Sequence, residues 1–120
     1  MNQKSIGDRG EQLAAWYLRA KGYRIIERNF RVRGGEIDII CRDRTTLVFV
    51  EVKTRRSVLG GYPEEMVTPK KLERLRIAIG CYLQSHHRLP NEMRIDVVSV
   101  EQQKLLPHLM HFKNITENIS

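Results

Sequence analysis

Asp38, Glu51 and Lys53 carry charge where the surrounding pattern calls for core. The segment Leu47 to Lys53 reads LVFVEVK, and strand alternation puts Val48, Val50 and Val52 on one face. Leu47, Phe49, Glu51 and Lys53 fall on the other, so apolar residues occupy both faces, as in a strand buried on both sides. A carboxylate and an ammonium at the end of such a strand each face a desolvation cost of several kcal/mol unless something compensates. The preceding segment, GEIDIICR from Gly35 to Arg42, repeats the oddity, with Glu36 and Asp38 alternating against Ile37 and Ile39. A hairpin centred between Arg44 and Thr45 sets Asp38 opposite Glu51 and Glu36 opposite Lys53. Directly opposed residues lie roughly 4.5–5.5 Å apart. Two bare carboxylates at that spacing repel and raise one another's pKa. A shared Mg²⁺ or Mn²⁺ relieves the repulsion and suits oxygen ligands. The same pattern also fits a cross-strand ion pair of Lys53 with Glu36 or Glu51, so the local residues leave both readings open.

These residues need elements to position them. Ser5 to Lys21 has a helical stripe of Gly10, Leu13, Ala14, Tyr17 and Leu18. Ser5 is placed to cap it, Asp8 completes an approximate capping box, and Gly22 ends it. Glu11 flanks the stripe in register with Ala14 and Leu18, at the boundary of the core face. Tyr23 to Phe30 is a weak strand, followed by a basic connection that contains glycine. Arg55 to Val67 has the breakers Gly60-Gly61 and Pro63 and reads as a loop. Thr68-Pro69 then opens a second helix, with Thr68 as N-cap and Leu72, Leu75, Ile79 and Tyr82 or Leu83 as its buried stripe. Met93 to Val100 and a short piece from His108 to Phe112 add two strands. The order is α-β-β-β-α-β-β, a mixed sheet flanked by helices.

Composition narrows the class. At 120 residues the chain is expected to be one domain over 1–113, with 114–120 a polar, frayed tail. No apolar run is long enough to span a bilayer and the first residues lack a signal-peptide pattern, which predicts a cytoplasmic protein and no membrane partner. Lys and Arg number 21 against 14 acids, a net charge of +7, which favours polyanionic partners. Cys41 and Cys81 are too isolated for a zinc motif. His86-His87 are set to interact with the dipole at the end of the second helix, and His108 and His111 lack a matching third ligand. Asp96 alternates with Arg94 and Val98 as an ion-paired structural residue would.

GEIDII, followed thirteen residues after Asp38 by FVEVKTR, resembles the D…ExK signature of the PD-(D/E)XK nuclease superfamily. The helix bearing Glu11 and the later helix stand in the order of the Holliday-junction resolvases. From GDRGEQLA to RIDVVSV the chain is also similar to the YraN-like bacterial family, whose function is not well established. Ile37 stands where the motif has proline.

The resemblance implies a restriction-endonuclease-like core and a set of roles. Glu11, Asp38, Glu51 and Lys53 would be catalytic, and Asp38, Glu51 and the Val52 carbonyl would bind Mg²⁺ or Mn²⁺. Lys53 would orient or deprotonate the attacking water, and Glu36 would support Asp38 from the same strand face. Arg31, Arg33, Arg55, Arg56, Lys70 and Lys71 are candidates for phosphate contacts, which position a nucleic acid without reading its sequence. The expected activity is an endonuclease acting on DNA ahead of RNA, with branched DNA in view. The rivals are a non-catalytic nucleic-acid-binding module and a protein-interaction subunit. A small nuclease that cuts two strands often works as a symmetric pair, so a homodimer is a further expectation.

Overall fold

A computed structural model describes residues 3–55, 67–101 and 106–115, with the backbone alone for residues 3–7. Helix α1 spans Gln3–Ala20, strand β1 Arg24–Val32, β2 Gly35–Asp43 and β3 Thr46–Arg55. Helix α2 covers Pro69–Ser85, followed by β4 (Glu92–Glu101) and β5 (His108–Phe112). The order is the one the sequence predicts. The five strands form one sheet in the order β1-β2-β3-β4-β5, antiparallel except for the parallel pair β3 and β4. Helix α2 is the crossover that a parallel pair requires. This mixed sheet between two helices is compatible with a restriction-endonuclease-like core.

Each face of the sheet carries its own core. Leu72, Leu75, Ala78 and Tyr82 of α2 pack with Ile37, Ile40, Leu47, Phe49, Ile95 and Val97. Ala14, Ala15 and Leu18 of α1 pack with Ile39, Cys41, Val48, Val50, Val98 and Val100 on the opposite face. Leu47 and Phe49 thus face α2 while Val48 and Val50 face α1, as the alternation requires. Tyr82 fills the last buried position of the α2 stripe, after Leu72, Leu75 and Ala78, and Ile79 is only partly covered.

Two glycines let the helices sit close to the strands. A Cβ on Gly35, at the start of β2, would strike the Arg74 carbonyl oxygen and lie 2.8 Å from the Ala78 amide, both in the backbone of α2. A Cβ on Gly10 of α1 would run into the Thr54 hydroxyl on β3. Thr68 caps α2 through its side chain, which accepts from the Lys71 amide at 3.2 Å, and Pro69 occupies the first turn. Gly22 closes α1 at φ +95°, while the Tyr23 amide returns to the Leu18 carbonyl at 2.9 Å. Helix α1 begins at Gln3 rather than at Ser5, so Ser5 lies inside the helix instead of capping it.

The packed structure also takes in two residues that the sequence places in the tail. Ile115 is buried in the α2-side core, and the Asn114 amide donates to buried Asp96 at 2.9 Å. Residues 116–120, most of the Arg55 to Val67 loop and Arg56 lie outside the described residues. Among those described, no helix is long and apolar enough to cross a membrane.

Candidate active site

The hairpin register is the predicted one from Asp43↔Thr46 to Ile39↔Val50, and there the ladder ends. Asp38 and Glu51 are therefore not a ladder pair, although they follow it directly. The pleat of β2 breaks at this point. Ile37 and Ile40 face α2, whereas Ile39 and Cys41 face α1, an order that strict alternation does not allow. Across the strand pair, Arg28 and Phe30 oppose Ile39 and Ile37, and Asn29 between them adopts φ 55°. In place of a carbonyl, the Asp38 carboxylate accepts the Val52 amide at 2.8 Å.

This brings the two acids together. Asp38 and Glu51 lie within hydrogen-bonding reach, and the sense of their interaction leaves the proton on Glu51. Burial, followed by the charge of Asp38, pushes Glu51 up from 4.5 to about 8. Burial also raises Asp38, against the Val52 amide bond that favours its ionised form. Glu11 reaches the group from α1, and burial, then Asp38, raises it from 4.5 to about 7. One of its oxygens, Oε1, is buried with no hydrogen-bond partner among the described residues. Three acids from α1, β2 and β3 are thus all shifted upward, with burial the largest cause in each.

Lys53 follows Glu51 on the same face. Among the described residues neither Glu36 nor Glu51 forms an ion pair with Lys53, so the cross-strand ion pair is not what holds this end of the hairpin. Lys71 of α2 takes that place, with Nζ 3.5 Å from Glu51 Oε1, and Glu36 pairs with Arg31 at 3.5 Å. Desolvation, then the neighbouring charge of Lys71, lowers the Lys53 pKa. A lysine poised this way gives up its proton more readily than a solvated one.

A cavity of about 300 Å³ opens beside Glu51, lined by Glu36, Thr68, Lys70, Lys71 and Arg74. It joins the acidic group to the cationic first turns of α2. Of the six predicted phosphate contacts, Lys70 and Lys71 line this cavity, Arg31 is engaged with Glu36, and Arg33 is exposed at the β1–β2 turn. Arg55 ends β3. The sequence reading missed Arg28, whose charge acts on Glu11 ahead of any other cation, and Arg74, which extends the basic wall. The helical spacing of Lys70 and Arg74, one turn apart, was the available signal for the latter.

Among the described residues no three His, Cys, Asp or Glu side chains converge as a ready-made metal cage. The donor set still fits a small hard cation. Mg²⁺ is commonly held by one or two carboxylates together with water and substrate phosphate. Asp38 and Glu51 supply two carboxylates, and Oε1 of Glu11 is a further oxygen without a partner among the described residues.

Comparison with known proteins places the sequence in a group. The model of "Uncharacterised protein family UPF0102" matches residues 10–100. A UPF0102 protein of Syntrophomonas wolfei is 53% identical over 97 residues, covering 81% of this chain and 84% of its own. One of Carboxydothermus hydrogenoformans is 38% identical over 117 residues, covering 98% of this chain and 99% of its own. One of Geobacter metallireducens is 44% identical over 117 residues, with 98% and 96% covered.

Proposed function

The chain belongs to the uncharacterised protein family UPF0102, and from its acidic site we propose a divalent-metal-dependent endonuclease that hydrolyses phosphodiester bonds, in DNA ahead of RNA. One observation carries this reading: half-buried Asp38 and buried Glu51 are held within hydrogen-bonding reach of each other at the end of two core strands, with Lys53 next on the same face. Such an arrangement costs stability in the absence of a compensating charge, so it calls for a functional reason.

Asp38 and Glu51 would hold Mg²⁺ or Mn²⁺, with the Val52 carbonyl as a further oxygen. When bound, the cation polarises the phosphoryl oxygen and lowers the pKa of water. The protein's own groups do the rest. Lys53, with its lowered pKa, accepts a proton from the attacking water or steadies the charge growing on the phosphate. Glu11 orients water through its unpartnered oxygen. Lys70, Lys71 and Arg74 seat the phosphate in the adjoining cavity, where the N-terminus of α2 adds its own attraction for anions. Glu36 and Arg31 support that wall as a pair.

The test is cleavage of a labelled panel of four-way junction, flap, single strand, duplex and structured RNA, with Mg²⁺, Mn²⁺ or EDTA. Metal-dependent cutting by the wild type that falls at least a hundredfold in Asp38→Asn and Lys53→Ala, with binding kept, is the expected result. Cutting that survives in both variants would refute the site. Salt-sensitive binding without cutting would leave the fold as a nucleic-acid-binding module, and neither would point to a protein-interaction subunit.

A further inference from the structure

The opposite end of the sheet carries a second constellation that the proposed chemistry leaves unused. Asp96 is fully buried in β4 and accepts three N–H groups: Arg94 Nε at 3.0 Å, the Asn114 amide at 2.9 Å and His111 Nε2 at 2.8 Å. These bonds hold Asp96 ionised against its burial, with a lowered pKa. Arg94 extends the network by donating to the Tyr23 hydroxyl at 2.8 Å and to Asp43 at 3.1 Å. Because Tyr23 accepts from Arg94, its own O–H is left to donate. Burial pushes its pKa up to about 12, so it keeps that proton.

This network backs a cavity of about 700 Å³. Its walls include Tyr17, Tyr23 and His111, with the histidine edge-on to both tyrosines at centroid distances of 5.7 Å. Its rim carries Lys21, Arg44 and Lys113, while the one acid among its described lining residues, Asp43, is paired with Arg94. Lys21 stands over the Tyr17 ring at 5.5 Å and Lys113 over the Tyr23 ring at 6.0 Å. A neighbouring cavity of about 400 Å³ shares Arg44 and adds Arg42 and Arg88. Five of the chain's 21 lysines and arginines thus gather here, against the acids Asp43 and Glu92, and Asp43 lies five residues along β2 from Asp38, or roughly 17 Å.

We propose that this cavity is a nucleotide-binding site, with Lys21, Arg44, Lys113 and the Tyr23 hydroxyl receiving a phosphate and the Tyr17 ring lying against the base. Three cations and a hydroxyl donor outnumber the lining acid Asp43, which Arg94 already engages, and so make an anion site. A half-buried aromatic ring beside it adds the stacking surface that single nucleotides and strand ends use. Its volume falls within the range of small-ligand pockets, about 300–1,000 Å³. The site does not depend on metal or on cleavage.

The experiment is calorimetric titration of the whole protein in EDTA with AMP, with inorganic phosphate and with adenosine, and then with a 5′-phosphorylated and an unphosphorylated oligonucleotide. AMP is expected to bind at least tenfold tighter than inorganic phosphate or adenosine. Lys21→Glu/Lys113→Glu should weaken AMP at least tenfold, Tyr17→Ala should weaken AMP but not phosphate, and Lys70→Glu at the other site should change neither. All four positions lie at the surface or half-buried, and thermal melting checks that each variant is folded. A 5′-phosphate preference among the oligonucleotides assigns the site to strand ends, and its absence assigns it to free nucleotides. Failure of AMP to bind, equal affinity for phosphate, or AMP binding untouched by the Lys21/Lys113 reversal overturns the proposal. Asp38→Asn should leave AMP affinity unchanged, so loss of the nuclease reading and loss of this one are separate outcomes.

Discussion

Replacing Glu51 by glutamine should stabilise the metal-free protein at neutral pH, although it removes one member of the ion pair with Lys71. In the native state Glu51 keeps its proton up to about 8, whereas the unfolded chain releases it near 4.5. Between those values the native state binds more protons than the unfolded state, so stability falls as pH rises. The slope is about 1.4 kcal/mol per pH unit. At pH 7 the accumulated cost is about 3 kcal/mol as an upper bound, because Asp38 shares the proton and Lys71 offsets part of the charge. Glutamine fits the same space, donates to Asp38 as protonated Glu51 does, and carries no ionisation cost. Urea or thermal melts in EDTA from pH 4 to 8 should therefore show a gap in favour of Glu51→Gln. That gap should be near zero at pH 4, grow with pH, and reach on the order of 10 °C at pH 7. Adding Mn²⁺ should raise the wild-type melting temperature and leave the variant unmoved. A Glu51→Gln protein that is less stable than wild type at pH 7, by an amount that does not vary with pH, would refute the reasoning and make Glu51 an ordinary ion-pair partner of Lys71.

Mn²⁺ binding by the wild type should release protons below pH 8 and progressively fewer above it, since the cation displaces the proton of the acidic group; calorimetry in two buffers of different ionisation enthalpy reads the number directly. Gly35→Ala should destabilise the fold by about 1–3 kcal/mol, because its Cβ meets the α2 backbone rather than a side chain that can swing away; denaturant melts check it. Asp96→Ala should cost about 3–5 kcal/mol by leaving half-buried Arg94, His111 and the Asn114 amide without their shared acceptor. In the wild type the stabilisation from Asp96 is present above its unfolded pKa near 3.8 and is lost as pH falls through its lower native value, so acid unfolding should shift upward in the variant.

The sequence made the hairpin legible because its turn is short and its two strands alternate cleanly. Asp43↔Thr46 through Ile39↔Val50 follow from counting alone. The break at Asp38 was not legible, since it is shared with Asn29 on β1, the strand with the weakest pattern. For the same reason the acids were predicted as opposed ladder partners, whereas they meet through their side chains beyond the ladder. Lys71 was visible as a basic residue of α2, but its reach to Glu51 depends on how closely Gly35 lets that helix approach. The Asp96–Arg94–His111 network joins residues far apart in the chain, and only the antiparallel pairing of β4 with β5 brings His111 to Asp96. A local pattern could suggest the Arg94 pair and no more. Ile115 looked like tail because a lone apolar residue among polar ones has no periodicity to show where it packs.

The bond between the Val52 amide and Asp38 has one more consequence. Where β3 is laddered to β2, from Thr46 to Val50, backbone amides answer to other backbone groups, so their exchange with solvent deuterium reports on opening of the sheet. The Val52 N–H instead answers to an ionisable side chain, whose hold on it strengthens as the carboxylate becomes charged. Its exchange rate and its nitrogen chemical shift will therefore follow the charge state of Asp38 while its neighbours stay still. The protein carries, in one backbone position, a spectroscopic gauge of its own acidic site that needs neither a label nor a substrate.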